Sequence, residues 1–315
     1  MYCIHYLGNT RWWATYELYS NIKLVWNDCC SCIMTAIGDG EVGDYGARIN
    51  RLKDTIQNPL TVNILKFQLA IVVITAKPLV EATYKLEGDG PCSIIAYDIL
   101  NHLSIWFETY LPQMTFPGIE LYISEYTQSI IQLPQFAGDF NLARQFAINE
   151  ARLIVQPAYN YFNDRIFNQL AEDIALYKIL RYANPFAFNR MNTSNVFSIP
   201  QFRADISSLN HFSIEQIDSM IENIPRYIIL TNIENLEQVP LYDELEKSQI
   251  FWQTNRAILP AISIFIRYAY TIITSSASVE RVFSILKRVF DYSQKEALED
   301  YTFLSTMIQF NKLNK

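Results

Sequence analysis

The chain has 315 residues, half of them hydrophobic and 14% aromatic, with 32 acidic against 25 basic side chains and a formal net charge of −7. A chain so apolar buries a sizeable core, which excludes a disordered protein, and its acidic balance argues against autonomous DNA binding, whose non-specific affinity comes from Lys and Arg on phosphates. Five cysteines in no secretory pattern, with no N-terminal signal segment expected, point to a reducing compartment, the nucleus or otherwise the cytoplasm.

Nine glycines and twelve prolines punctuate long segments of helical rather than alternating periodicity. Loops are expected at Gly38–Gly46 and Glu87–Pro91, where Gly, Asp and Glu concentrate. The longest apolar run, Leu69–Ala76, lies between Lys66 and Lys77 and falls short of the ~20 residues that cross a bilayer, so no membrane span is expected. Leu69–Thr75 and Tyr227–Leu230 have strand-like composition but no turn-linked partner.

Apolar residues from Tyr159 through Phe162, Ile166, Leu170, Ile174 and Tyr177 to Leu180 predict one long helix over Tyr159–Tyr182, with Pro157 ahead of it and Asn184-Pro185 ending it. Phe186–Ser208 is polar and aperiodic and reads as a loop. A helix over Ile214–Ile224 follows, with Ser213 as N-cap, Gln216 completing a capping box and Pro225 as its stop. The fold class is therefore mainly α. A boundary near Val239-Pro240 divides residues 1–240 from 241–315.

In the second segment, Ala257–Ile273 is interrupted by Pro260 and Arg267 and reads as a core helix. Beyond it, Val279, Val282, Phe283, Leu286, Val289 and Phe290 form an apolar helical stripe, with Glu280 off it in the first turn. Ser275, Ser276 and Ser278 are available N-caps, and an early acid suits the helix dipole. That local role accounts for Glu280 without any chemistry. Cys29-Cys30-x-Cys32 and the three histidines lack paired zinc-ligand spacing, so no metal site is expected from them.

The segment Ser275-Ser276-Ala277-Ser278-Val279-Glu280-Arg281-Val282-Phe283-Ser284 resembles the signature of the C-terminal dimerisation region of hAT-superfamily transposases, with Val279 where the family has a serine. Phe251-Trp252 and the proline-led Pro260–Ile262 look like that region's aromatic pair and entry helix. Thr10-Arg11-Trp12 with Tyr16-Glu17 resembles the opening of the family's helical insertion domain, and Lys77–Thr83 with Leu86–Pro91 a later part of it.

The resemblance implies a helical insertion-type region over 1–240 and a dimerisation module over 241–315. The latter is a helical remnant of an RNase H-like fold whose N-terminal sheet is missing, as in a truncated or domesticated transposase. Glu280 matches the family's third acidic residue, and Ser275, Ser276, Arg281, Ser284, Arg11 and Trp12 are the other motif positions. Trp252, Phe265, Val282, Phe283, Leu286, Leu298, Tyr301, Leu304 and Ile308 are the candidate dimerisation residues.

The function implied is association with itself or a related hAT chain, with no catalysis and no cofactor. The alternative is part of an active DNA transposase, with two aspartates supplied from elsewhere and Mg²⁺ or Mn²⁺ as cofactor, because a two-cation centre needs several converging carboxylates.

Overall fold

The computed structural model describes residues 12–38, 57–87, 90–233, 239–272 and 274. Every regular element among them is helical, with twelve α-helices. The strand-like stretches are both helix interior: Leu69–Thr75 lies in the helix Pro59–Leu86, and Tyr227–Leu230 in the helix Ile214–Ile233. Without a partner strand to complete the backbone hydrogen bonds, the helix satisfies them within the segment itself.

The described residues fall into two units, the first taking in those up to Glu81 and His102–Gln169, the second Ala82–Asn101 and those from Leu170 on. Residues 170–233 thus share a unit with 239–274, although the sequence boundary lies near residue 240.

The first unit holds α1 (Trp12–Leu24), α2 (Trp26–Gly38), most of α3 (Pro59–Leu86), half of α4 (Ser93–Tyr110), α5 (Ile119–Ile130) and α6 (Phe140–Asn163). Its core gathers Phe67, Ile71, Phe107, Phe116, Ile123 and Tyr126, with the Phe67 and Tyr126 rings stacked at 4.4 Å. On α6, Ala143, Ala147 and Ala151 recur every fourth residue and are fully buried. That stripe of small side chains lets α6 lie close against α5. The reversal between them uses Gly138 at φ +82°, followed by Asp139, which caps α6 by accepting from the Leu142 N–H at 3.1 Å.

The apolar run Leu69–Ala76 belongs to a helix of 28 residues, because Pro78 does not end it. By length and composition α3 is long and apolar enough to cross a membrane, with a mean hydropathy of 1.7. It also places Phe67, Ala70, Ile71 and Val73 inside the protein.

The second unit adds α7 (Ala171–Leu180), α8 (Pro185–Thr193), α9 (Ile199–Ser208), α10 (Ile214–Ile233), α11 (Glu244–Asn255) and α12 (Pro260–Thr271). Three expectations are corrected. The single helix expected over Tyr159–Tyr182 is two, because α6 runs through Pro157 into a π-helical stretch, Asp164–Gln169, before α7 begins. Phe186–Ser208 is no loop: α8 and α9 occupy it, anchored by Phe186, Phe188, Phe202 and Ile206, each no more than 2% exposed. Pro225 does not stop α10. Pro157 and Pro225 are both on exposed positions, so the carbonyl each deprives of a donor faces water instead of the core.

The capping box is present as expected. The Gln216 N–H donates to the Ser213 hydroxyl at 3.3 Å, and the Ser213 N–H donates to the Gln216 side chain at 2.9 Å. Ser213→Ala is expected to destabilise the second unit by about 1 kcal/mol, read as a lower chemical-denaturation midpoint by circular dichroism, and Gln216→Ala by less. No change in either variant would mean that the box contributes nothing to α10.

Candidate functional site

The site region is α11 and α12, which carry two of the nine candidate dimerisation residues, Trp252 and Phe265. Both are inside the unit, 4% and 1% exposed. The Trp252 Nε1–H donates to the Ala183 carbonyl at 2.7 Å, and its ring lies 5.2 Å from that of Tyr227. Phe265 packs near Phe212, with ring centroids 6.2 Å apart. These two side chains are engaged in internal packing, which the sequence left undivided from interface. Val282, Phe283, Leu286, Leu298, Tyr301, Leu304 and Ile308 lie outside the described residues, as do Glu280, Ser275, Ser276, Arg281, Ser284 and Arg11. Trp12 opens α1.

Trp252 is one of three residues, with Glu244 and Ser248, that repeat every fourth position along α11 and face the turn at Ala183-Asn184. Asn184 is wholly buried. Its Nδ2 donates to Glu244 Oε2 at 2.6 Å, while its Oδ1 accepts from the Ser248 hydroxyl at 3.0 Å and from the Phe186 N–H at 3.1 Å, which caps α8. Asn184-Pro185 therefore ends one helical run, as expected, and also starts the next.

Sequence reading singled out neither Glu244 nor Ser248. The available signal was their spacing with Trp252, which puts a carboxylate, a hydroxyl and an indole N–H on one helix face.

Glu244 also receives Arg190, whose Nη1 donates to Oε1 and whose Nη2 donates to Oε2 at 3.3 Å. Arg190 reaches on to Asp98 at 3.3 Å, and Arg181 pairs with the same carboxylate at 3.5 Å. Two acids and two guanidiniums thus form one neutral cluster that joins α4, the 3-10 turn Arg181–Ala183, α8 and α11. Burial pushes the Asp98 and Glu244 carboxyls above their ordinary range, with the arginines opposing the shift. Across the described residues no group of three His, Cys, Asp or Glu side chains is placed to hold a cation. The Cys29, Cys30 and Cys32 thiols on α2 are free. The arrangement fixes α11; it has the character of a structural clamp and not of a reaction centre.

Arg190→Ala strands the Glu244 carboxylate in the interior and is expected to cost about 3 kcal/mol at neutral pH. Glu244→Gln is expected to cost less, because the Arg190 side chain is 44% exposed and keeps Asp98. With its cation gone, Glu244 has a folded-state pKa still further above the unfolded one, so its ionisation penalises the fold at high pH and the penalty fades as pH falls through the folded value. Denaturation midpoints of Arg190→Ala and the parent chain should therefore converge as pH drops from neutral toward the carboxylate range. A constant gap would show that Glu244 is not the source of the loss.

Residues 232–309 match the family model for the hAT family C-terminal dimerisation region. The match takes in α11, α12 and the Ser275–Ser284 segment that resembles the hAT signature. No curated protein and no solved structure matches the chain. Residues 232–309 are thus an hAT family C-terminal dimerisation region.

Proposed function

We propose that the chain is an association protein of hAT type, which pairs with a second copy or a related hAT transposase chain through residues 232–309, and that alone it does not cleave DNA. The match to a dimerisation region carries this reading. The described part of that region supports it: α11 is clamped from inside, and Ile250, Ile258 and Ile264 remain 55%, 36% and 40% exposed. Removing such surface from water stabilises a complex by roughly 25 cal/mol per Å², and a micromolar dimer needs about −8 kcal/mol in all.

The non-catalytic part rests on the motif, which supplies one carboxylate, Glu280, where a two-cation centre needs several. Nuclear location goes with this reading.

Light scattering of the full chain at micromolar concentration is expected to show a dimer, and a monomer alone would overturn the association reading. Incubation with Mg²⁺ or Mn²⁺ and labelled terminal-repeat DNA is expected to leave the strands intact. Cleavage that disappears in Glu280→Gln would replace this reading with that of a transposase.

A further inference from the structure

One side of α11 carries Glu246, Gln249, Gln253 and Arg256, at intervals of three, four and three residues; Glu246, Gln253 and Arg256 are exposed, and Gln249 is half-buried with its amide beside Gly90. The series is symmetric about residue 251 except that an acid at one end answers a base at the other. At about 100° per residue, the four positions fall within about 80° of arc. Glu246 and Arg256 are exposed and have no ion pair among the described residues. Ten residues of helix set them about 15 Å apart, out of each other's reach within one chain.

Beside this face, α11 and α12 enclose a cleft of about 630 Å³. Gln249, Gln253 and Arg256 line it from α11, and Arg267 and Tyr270 from α12. Among the described residues Arg267, which is exposed, has no ion pair, and the buried Tyr270 hydroxyl has no hydrogen-bond partner. The cleft therefore offers two guanidiniums and a phenol, and no carboxylate lines it among the described residues. At the other end of the same helix, Glu246 and, just before it, Asp243 are exposed acids without an ion pair among the described residues. Each copy therefore holds both halves of a complementary pair, and neither half meets its opposite among the described residues of its own copy.

We infer that α11 is the centre of a two-fold contact between two copies, packed antiparallel, with the partner's Glu246 on Arg256. A two-fold axis requires that residue i meet j while j meets i, and the α11 series satisfies this. Ile250, 55% exposed beside the centre of symmetry, meets its counterpart near the axis. Antiparallel packing also sets the two helix dipoles against each other.

This inference rests on the association reading above and deepens it by naming the surface. Sedimentation equilibrium of the full chain separates the two. For the parent chain a monomer defeats the association reading itself. Where the parent dimerises, Arg256→Glu and Glu246→Arg are each expected to raise the dissociation constant at least about tenfold, since each places like charges together twice per dimer. The double exchange Glu246→Arg with Arg256→Glu is expected to restore dimerisation, with circular dichroism unchanged throughout. Single exchanges that leave the dimer as tight as the parent, or a double exchange no tighter than the singles, would overturn the α11 contact and leave association through another surface.

Discussion

The second unit depends on the side chain of Asn184. It lies in the interior, and all three of its hydrogen bonds go to groups that are themselves buried. One bond starts α8, one holds Ser248 and one holds Glu244, so a single amide joins two helices about 60 residues apart in sequence. A buried polar network of this kind contributes less through its net energy than through the penalty attached to any alternative. Sliding α11 by one turn would orphan a carboxylate, a hydroxyl and an indole together. Apolar packing between Trp252, Tyr227 and Phe188 tolerates small shifts, whereas the amide admits one arrangement.

The two units solve the same problem by different means. The first fixes its helices mainly by shape, with fully buried alanines along α6 and stacked aromatic rings near α3 and α5. Its cross-helix ion pairs, Arg144 with Glu120 at 2.7 Å and Lys66 with Glu125 at 2.9 Å, are partly exposed and add little beyond orientation. The second unit buries charge. The arginines at 181 and 190 neutralise Asp98 and Glu244, and the cost of desolvating those carboxylates is offset only while all four remain together. Shape does most to position α6, whereas α11 is held by buried charge that is costly to leave unpaired.

Local rules were the legible part of the sequence. The capping box at Ser213 and Gln216 spans four residues and needs nothing from elsewhere, and helical periodicity over long segments led to the all-helical class. Proline as a stop signal misled at Pro157 and Pro225, because burial on the opposite face of the helix outweighs one lost hydrogen bond. Val155 precedes the first by two residues, and Ile224 and Tyr227 flank the second, each 1% exposed.

Phe186–Ser208 escaped notice for a different reason. Two helices of nine and ten residues are too short for a visible period, although Asn184-Pro185 and Ser198 before Pro200 are start signals for both. The clamp on Glu244 was not legible, since its partners are remote in sequence and no pattern announces a pairing across 54 residues. The Ser275–Ser284 signature was legible as a family resemblance, and the family match covers it.

Internal clamping and external association are linked through α11 itself. Glu244, Ser248 and Trp252 consume one face of the helix, which leaves the face bearing Ile250, Gln253 and Arg256 turned outward. Because the inner bonds admit one rotation about the helix axis, the outer residues are presented in one register before any partner arrives. Ordering entropy lost on binding is correspondingly smaller. The same rigidity favours specificity over raw affinity: charged groups on a fixed helix reject a partner with the wrong sign more strongly than they reward the right one. A helix held only by apolar contacts could rotate to hide Ile250 and would lose that selectivity. The buried amide at position 184 therefore acts on association without touching the outer surface, by fixing which side of α11 another chain can meet.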